Sequence, residues 1–463
     1  MTFFESHFLS IYSWFDQRRI ILTRLLVVLG VLAGVALLVP RIFLGNRFPV
    51  LLLAGYLFII VVITILRWPV LGLILIFLGG MFVPIVGPSG LNAAVGVVIL
   101  MLGLWLLKMM MEEHQIKLIL SRATLPIYVF ILISVFALAV GQFPWFVNAR
   151  HAPLDTQLAG FSVFLLSGGA FLLVAHLVHN ERQLQKITWV FIVAGAIYIL
   201  GRMANWGGID RIYHIGFSAG SMFWTWLVAL AFGQAVFNNR LRFYWRIALG
   251  IIVLATFYVA YVQAYDWKSG WLPPLVAVAA IIAFRFWKPA FVLVPLVILP
   301  ATYLINTLIA SDEYSWGTRL DAWIIIVNIV KANPLLGLGF ANYYWITPLF
   351  PIRGFEVNFN SHNQYLDILA QTGLMGLLCF LWFFWETGRL GWRLRESVPA
   401  GFPRAYVYGA LGGVAGTIVA STLVDWVLPF IYNIGLTGFR ASILVWLFLG
   451  GLVSLEQMYR VRS

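Results

Sequence analysis

Apolar residues in this chain come in long blocks. Runs of about 18 or more predominantly apolar residues, the length of a helix across a bilayer, fall at about 21–40, 48–66, 68–87, 91–111, 124–141, 157–179, 187–206, 217–236, 247–265, 271–287, 290–308, 373–390, 405–424 and 437–455. They predict an all-α polytopic membrane protein of about 12–14 transmembrane helices, with 68–87 and 271–287 the weakest of the set. Pro273–Pro274 and Pro295 are expected to kink their helices. No internal repeat or low-complexity linker interrupts the pattern, so residues 1–463 read as a single membrane domain. Residues 3–15, "FFESHFLSIYSWF", suit a short interfacial helix. The apolar stretch after Arg18 and Arg19 is long enough to span, unlike the core of a cleaved signal peptide.

Composition agrees. Hydrophobic residues make up 62% of the chain and charged residues 10%, against about a quarter charged in a soluble domain whose surface faces water. The 20 Trp, 37 Phe and 18 Tyr suit membrane interfaces. Cys379 is the one cysteine, so no intramolecular disulfide forms. The net charge of +13 is expected to mark cytoplasmic loops and not a nucleic-acid partner. With the N-terminus in the cytoplasm, 20 of the 30 Lys and Arg fall inside, the distribution that sets orientation. Both termini are then cytoplasmic, and ten basic residues remain outside against the bias, among them Arg202, Arg211, Lys268, Arg319 and Arg353.

Residues 309–362 form one long extracytoplasmic excursion, a length that usually carries function. Trp316–Lys331 has helical character and stops at Asn333–Pro334. In "PLLGLGF", Gly337 and Gly339 suit a tight turn with close backbone approach, and no Lys-Ser/Thr ending makes it a phosphate loop. Ser361 with Gln364 has capping-box spacing, which would put His362 at the first helical position. There the helix dipole disfavours an imidazolium, and a neutral imidazole can act as a general base; the other reading is that His362 only faces the interface. Arg211, Lys268 and Arg319 each lie at the outer end of a span, where they would hold a diphosphate or snorkel to head groups. The loop aromatics Tyr314, Trp316, Tyr343, Tyr344, Trp345, Phe350, Phe355 and Phe359 would stack on sugars or bury the loop. No cluster of carboxylates or histidines has metal-ligand spacing, and Asp312–Glu313 is a single adjacent pair, so neither metal nor cofactor is expected.

The combination "TRLDAW…NPLLGLGFANYYW…SHNQYLDILAQTGLMGLL", with "RIYHIGFSAGSMFWTWLVAL" and "YDWKSGWLPPL" earlier, resembles the O-antigen ligase and O-antigen polymerase superfamily. That resemblance implies a C-type membrane glycosyltransferase in the cytoplasmic (inner) membrane, working on its outer face. The donor would be a glycan on polyprenyl (undecaprenyl) diphosphate, and the acceptor a lipid A–core sugar for a ligase or a second lipid-linked glycan for a polymerase. His362 would deprotonate the acceptor hydroxyl, and Arg319 and Arg211 would hold the diphosphate. Two departures stand out. Trp267-Lys268-Ser269 replaces the usual Ser-Arg, so Lys268 would bind as a point charge, and "SAGS" replaces the Asp-Pro-Asn often found after the first arginine. Metal-dependent oligosaccharyltransferases of similar fold carry an acid in the first outer loop; here "PRIFLGNRF" has none. A lipid-linked glycan flippase is the alternative from another class, disfavoured because the charges sit at span ends and no repeat is visible.

Overall fold

The computed structural model describes residues 48–84, 86–87, 90–111, 114–115, 117–264, 266–286 and 313–460. They divide between two compact units, Met1–Leu71 and Gly72–Ser463. The first contains helix α1 (Phe48–Arg67), whose last-turn Arg67 sits 5.1 Å from the ring centroid of Trp68. Then follow α2 (Pro69–Phe82), α3 (Ala93–Met111), α4 (Leu125–Val140), α5 (Leu154–Leu177), α6 (Glu181–Met203), α7 (Ser221–Phe237), α8 (Phe243–Phe257), α9 (Lys268–Arg285), α10 (Glu313–Val330), α11 (Asn342–Ile346), α12 (Gln364–Ser397), α13 (Phe402–Leu423) and α14 (Phe439–Arg460).

Every expected span that falls on described residues coincides with a helix. The spans at 21–40 and 290–308, Pro295 and the interfacial helix at 3–15 lie outside the described residues. Among those described, seven helices are long and apolar enough to cross a membrane, and further apolar helices are shorter. Helix is the form that satisfies every backbone polar group within one segment, which lipid demands. Pro273 and Pro274 both lie inside α9, which continues past them to Arg285.

In lipid, helices gain little by burying apolar surface against one another, and close backbone approach takes over. Helix α13 shows how. Its "GALGGVAG" stretch places Gly409 against Leu230 of α7, Gly413 against Trp226 of α7, and Gly412 and Gly416 against Ala277 and Pro273 of α9. The small residues bring α7, α9 and α13 together as one block. On another face, Phe383 of α12 stacks on Trp446 of α14 at 5.2 Å, and Phe171 of α5 meets Phe383 edge-on at 5.1 Å.

Helix α12 is broken. Gly373 has φ 67° and ψ −170°, so Gln364–Thr372 is a short helix that turns into the long span through one non-helical residue. The break frees backbone groups, and the "PLLGLGF" loop takes them up. Leu338 N–H donates to the Ala370 carbonyl at 2.9 Å and Gly339 N–H to the Gln371 carbonyl at 3.1 Å. Leu374 N–H donates to Pro334 O at 2.8 Å and Met375 N–H to Leu335 O at 3.2 Å. Gly337 and Gly339 have φ 72° and 82°. Gly337 lies against Gly373, and Gly339 against Gly141 at the end of α4, the tight turn and close approach expected of them. Asn342 anchors the clasp: its Nδ2 donates to Gly141 O and Leu338 O, both at 2.8 Å, and its Oδ1 accepts Ala152 N–H at 2.9 Å.

Gly373→Ala puts a β-carbon at positive φ and onto the Leu335 carbonyl. It is expected to lower stability by about 2 kcal/mol or more, seen as a depressed thermal midpoint in detergent. Gly388→Ala, in the same helix with open space around it, should not lower that midpoint.

Candidate active site at the broken helix

The short segment of α12 presents its N-terminus next to the C-terminal end of α13, and the polar residues gather there. Its cap is Asn363, with extended backbone at φ −143°, whose Oδ1 accepts Tyr365 N–H at 3.0 Å and Leu366 N–H at 3.3 Å. This corrects the capping box expected from Ser361 and Gln364. Ser361 is fully buried and turned inward; its hydroxyl lies 2.7 Å from both Asp367 Oδ1 and the Asn363 carbonyl and accepts Asn363 N–H at 2.9 Å. Gln364 holds the following connection, its Oε1 accepting Val427 N–H at 3.0 Å and Leu428 N–H at 2.8 Å, its Nε2 donating to Leu428 O at 3.1 Å.

His362 therefore precedes the cap and is not the first helical residue. Its φ is 48°, a left-handed conformation that non-glycine residues occupy at some strain and that gathers at functional sites. The ring is half-buried. Burial lowers its pKa below 6.5, and the charge of Arg319 lowers it further. Neutrality thus has another cause than the helix dipole.

Arg319, on α10, is the cation of this cluster. Its Nη1 donates to the Leu423 carbonyl at 3.2 Å, and its guanidinium sits 5.4 Å from the Trp316 ring centroid. Leu423 ends α13, where carbonyls lack helical partners and the dipole is negative. Asn363 serves the same end, its Nδ2 donating to Thr422 O at 3.4 Å, and further back along α13 Tyr365 Oη donates to Ile418 O at 2.8 Å. Trp323 Nε1 ties α10 to the Ser361 carbonyl at 2.8 Å.

Behind His362 stand two fully buried carboxyl groups, Asp367 and Asp425. Sequence reasoning passed over both, although an acid inside "YLDILA" or "TLVDWVL" is itself a signal, because an ionisable group in an apolar run is costly unless it is used. Asp367 Oδ1 accepts from Ser361 and from the Tyr343 hydroxyl. Burial, with the charges of both acids, pushes the Tyr343 phenol well above 10, so it remains a donor. Asp425 Oδ2 accepts Phe430 N–H at 3.1 Å, and Oδ1 accepts Asn433 Nδ2 at 2.7 Å. Burial raises Asp425 to about 6, against the lowering effect of Asn433, Phe430 N–H and Arg319.

Asn433 joins this carboxyl to the histidine, with Nδ2 3.4 Å from His362 Nδ1. The contact holds the ring by Nδ1 and leaves Nε2 as the other nitrogen. An amide N–H directed at Nδ1 keeps the ring proton on Nε2. Amide oxygen and nitrogen have the same shape. With the amide reversed, Oδ1 would accept Nδ1–H and Nε2 would carry the lone pair of a base. Reversal turns Oδ1 towards Asp425 as well, and two acceptors face each other there unless Asp425 is protonated.

Arg211 and Lys268 are not among the residues gathered around His362. Arg211 is exposed on the single turn Ile209–Ile212, and Lys268 begins α9. Their neighbours Asp210 and Trp267 line a cavity of about 380 Å³ with Arg202, Ser218 and Trp224. Arg202 is paired with Asp210 at 2.9 Å, and Arg353 with Asp321 at 2.9 Å, which gives partners to two of the cations expected outside against the bias. Most of the loop aromatics bury the loop. Tyr343 stacks on Phe430 at 4.8 Å and Tyr344 on Tyr432 at 4.5 Å, Trp345 Nε1 donates to Tyr432 Oη at 2.6 Å, and Phe350 meets Phe146 at 6.0 Å. Phe355 is 64% exposed.

Among the described residues no group of three or more His, Cys, Asp or Glu could hold a metal ion. Residues 211–381 match a family model described as O-antigen ligase; the match begins at Arg211 and takes in Lys268, Arg319 and His362. No curated protein matches the chain.

Gln364→Leu removes three hydrogen bonds that hold 427–428 and leaves those buried backbone groups unpaired. It is expected to lower stability by about 1–3 kcal/mol, read as a lower thermal midpoint and as faster proteolysis of the 424–436 connection.

Proposed function

We propose that this chain, whose residues 211–381 match a family model described as O-antigen ligase, moves a glycan from a polyprenyl-diphosphate donor to a sugar hydroxyl at the outer face of the cytoplasmic membrane. The family match supports glycosyltransferase activity in general terms. The observation that carries the specific reading is a half-buried histidine, its proton affinity lowered, held beside a guanidinium at the rim of the membrane helices. His362 Nε2 takes the proton of the acceptor hydroxyl as its oxygen attacks the anomeric carbon. The anomeric bond to the diphosphate breaks with inversion, and its electron pair leaves on the diphosphate oxygen. Arg319 stabilises the charge that grows there, while Arg211 and Lys268, beside the Asp210 and Trp267 cavity, hold the rest of the donor. A base and cations suffice for such a leaving group, so no metal takes part. We favour a ligase, with a lipid A–core acceptor; a polymerase would place a second lipid-linked glycan at the same base.

His362→Ala is expected to cut transfer by roughly 10²–10⁴-fold, the usual worth of a general base, while the thermal midpoint stays near wild type. The assay gives polyprenyl-diphosphate-linked glycan and candidate acceptors to protein in nanodiscs, with a metal chelator present. Equal transfer by wild type and variant would remove His362 from the chemistry, and loss of wild-type transfer with the chelator would restore a metal.

The Asn433 link adds a pH dependence. Base action needs His362 neutral, so transfer fails as pH falls through the lowered His362 pKa. It also needs Nε2 unprotonated, which pairs with a protonated Asp425, so transfer declines on the alkaline side as Asp425 ionises, near 6 in the unliganded protein. In Asp425→Asn the new amide can donate to the reversed Asn433 at any pH. The variant is expected to keep transfer and lose the alkaline limb, which a pH profile of kcat/KM reads directly.

A further inference from the structure

The ends of α7, α9, α12 and α13 remote from His362 enclose a second polar cavity, of about 490 Å³, which the proposed reaction does not use. Arg285, Arg395 and Arg404 line it together with one acid, Glu396. Three guanidinium groups against one carboxylate leave the cavity with an excess of about two positive charges. Arg395 is built in: its residue is 9% exposed, its Nε and Nη2 hold Glu396 Oε1 at 3.1 and 2.9 Å, and the Trp392 ring lies 3.1 Å beneath its guanidinium carbon. Its Nη1 is buried and has no hydrogen-bond partner among the described residues, and the same holds for Arg404 Nε, although Arg404 Nη2 donates to Val398 O at 3.1 Å. Buried guanidinium N–H groups aimed at nothing are costly, and an anionic oxygen is the group that satisfies them.

The cavity opens onto apolar surface. Phe284 lines it and also lines an apolar groove of about 730 Å³ between α12 and α13. Trp392, the ring under Arg395, lines that groove too and meets Phe284 edge-on at 5.9 Å. A pocket of cations with a greasy groove continuing from it matches a phosphate head group followed by acyl chains. The ends concerned carry the basic excess that assigns them to the cytoplasmic side, where anionic lipids meet basic pockets between helices.

We propose that this cavity is a binding site for an anionic phospholipid of the cytoplasmic leaflet, its phosphate on Arg285, Arg395 and Arg404 and its chains in the groove beside Phe284 and Trp392. The test is native mass spectrometry of the full chain in detergent, titrated with phosphatidylglycerol or with phosphatidylcholine of the same chains. Phosphatidylglycerol is expected to bind several-fold tighter. Arg285→Gln, at an exposed position, should weaken it about five-fold, the worth of one basic residue at a lipid head group. Glu396→Gln should strengthen it, an opposite sign that a damaged fold would not give. Equal binding of the two lipids, or phosphatidylglycerol binding unchanged in both variants, overturns the site. Displacement of the lipid by millimolar inorganic phosphate overturns the lipid and assigns the cavity to a soluble anion. Glycan transfer is not measured, so the outcome stands apart from the reading of the outer site.

Discussion

The break in α12 is the constraint on which the His362 end of this protein depends. An unbroken helix from 364 to 397 would carry His362 on in line with the span. Breaking it at Gly373 leaves carbonyls and amides that lipid cannot satisfy, and a break survives in a membrane only where other protein groups take them up. The 334–339 strand of loop does so with four backbone hydrogen bonds, which in turn fixes Asn342, Tyr343 and the buried face of the loop. The glycines at 337, 339 and 373 are where two backbones must meet without side chains between them. Fold and site are therefore one structure: the clasp that heals the helix also carries Tyr343 to Asp367 and brings α10, with Arg319, to the end of α13.

The α13 end shows a second economy of the same kind. Its last carbonyls would face the membrane rim unpaired. Asn363 and Arg319 cap those of Thr422 and Leu423, and the residues that do the capping are the ones that flank His362. The guanidinium is held by a helix end and an aromatic ring, and its charge acts on both His362 and Asp425.

Much of this could be read in the sequence. Spans are set by length and composition, so each described one was found, and the helix at 316–331 and the turn at Gly337 and Gly339 followed from breakers that act locally. The helix starting at 364 was found with the wrong cap, because Ser-x-x-Gln spacing cannot tell which hydroxyl or amide reaches the first-turn N–H groups once Asp367 has claimed Ser361. His362 and Arg319 came from local pattern and resemblance. Asp425 and Asn433 lie 63 and 71 residues beyond His362, outside the matched segment, and meet it only through tertiary packing. A single acid in an apolar run was the available signal. Arg211 and Lys268 looked equivalent to Arg319 because all three sit at span ends; the chain alone does not say that two of them adjoin residues lining one cavity and that the third joins the cluster around His362.

The polar cluster has a consequence for the order of events in the proposed reaction. In the unliganded protein Arg319 favours the ionised form of Asp425, and ionised Asp425 holds the Asn433 amide nitrogen towards His362, the orientation that keeps Nε2 protonated. A diphosphate arriving at Arg319 brings charge of the same sign as Asp425 and shares the same guanidinium. Both effects raise the proton affinity of the buried carboxyl. Protonated Asp425 then donates to Oδ1 of the reversed amide, Nδ1 becomes the protonated nitrogen, and Nε2 is free to act as base. On this reading the histidine is a weak base until the donor is seated, which keeps the acceptor hydroxyl from being activated before there is an anomeric carbon to attack. The linkage is reciprocal: whatever protonates Asp425 also frees Arg319 for the diphosphate, so donor binding and base activation are two readings of one proton.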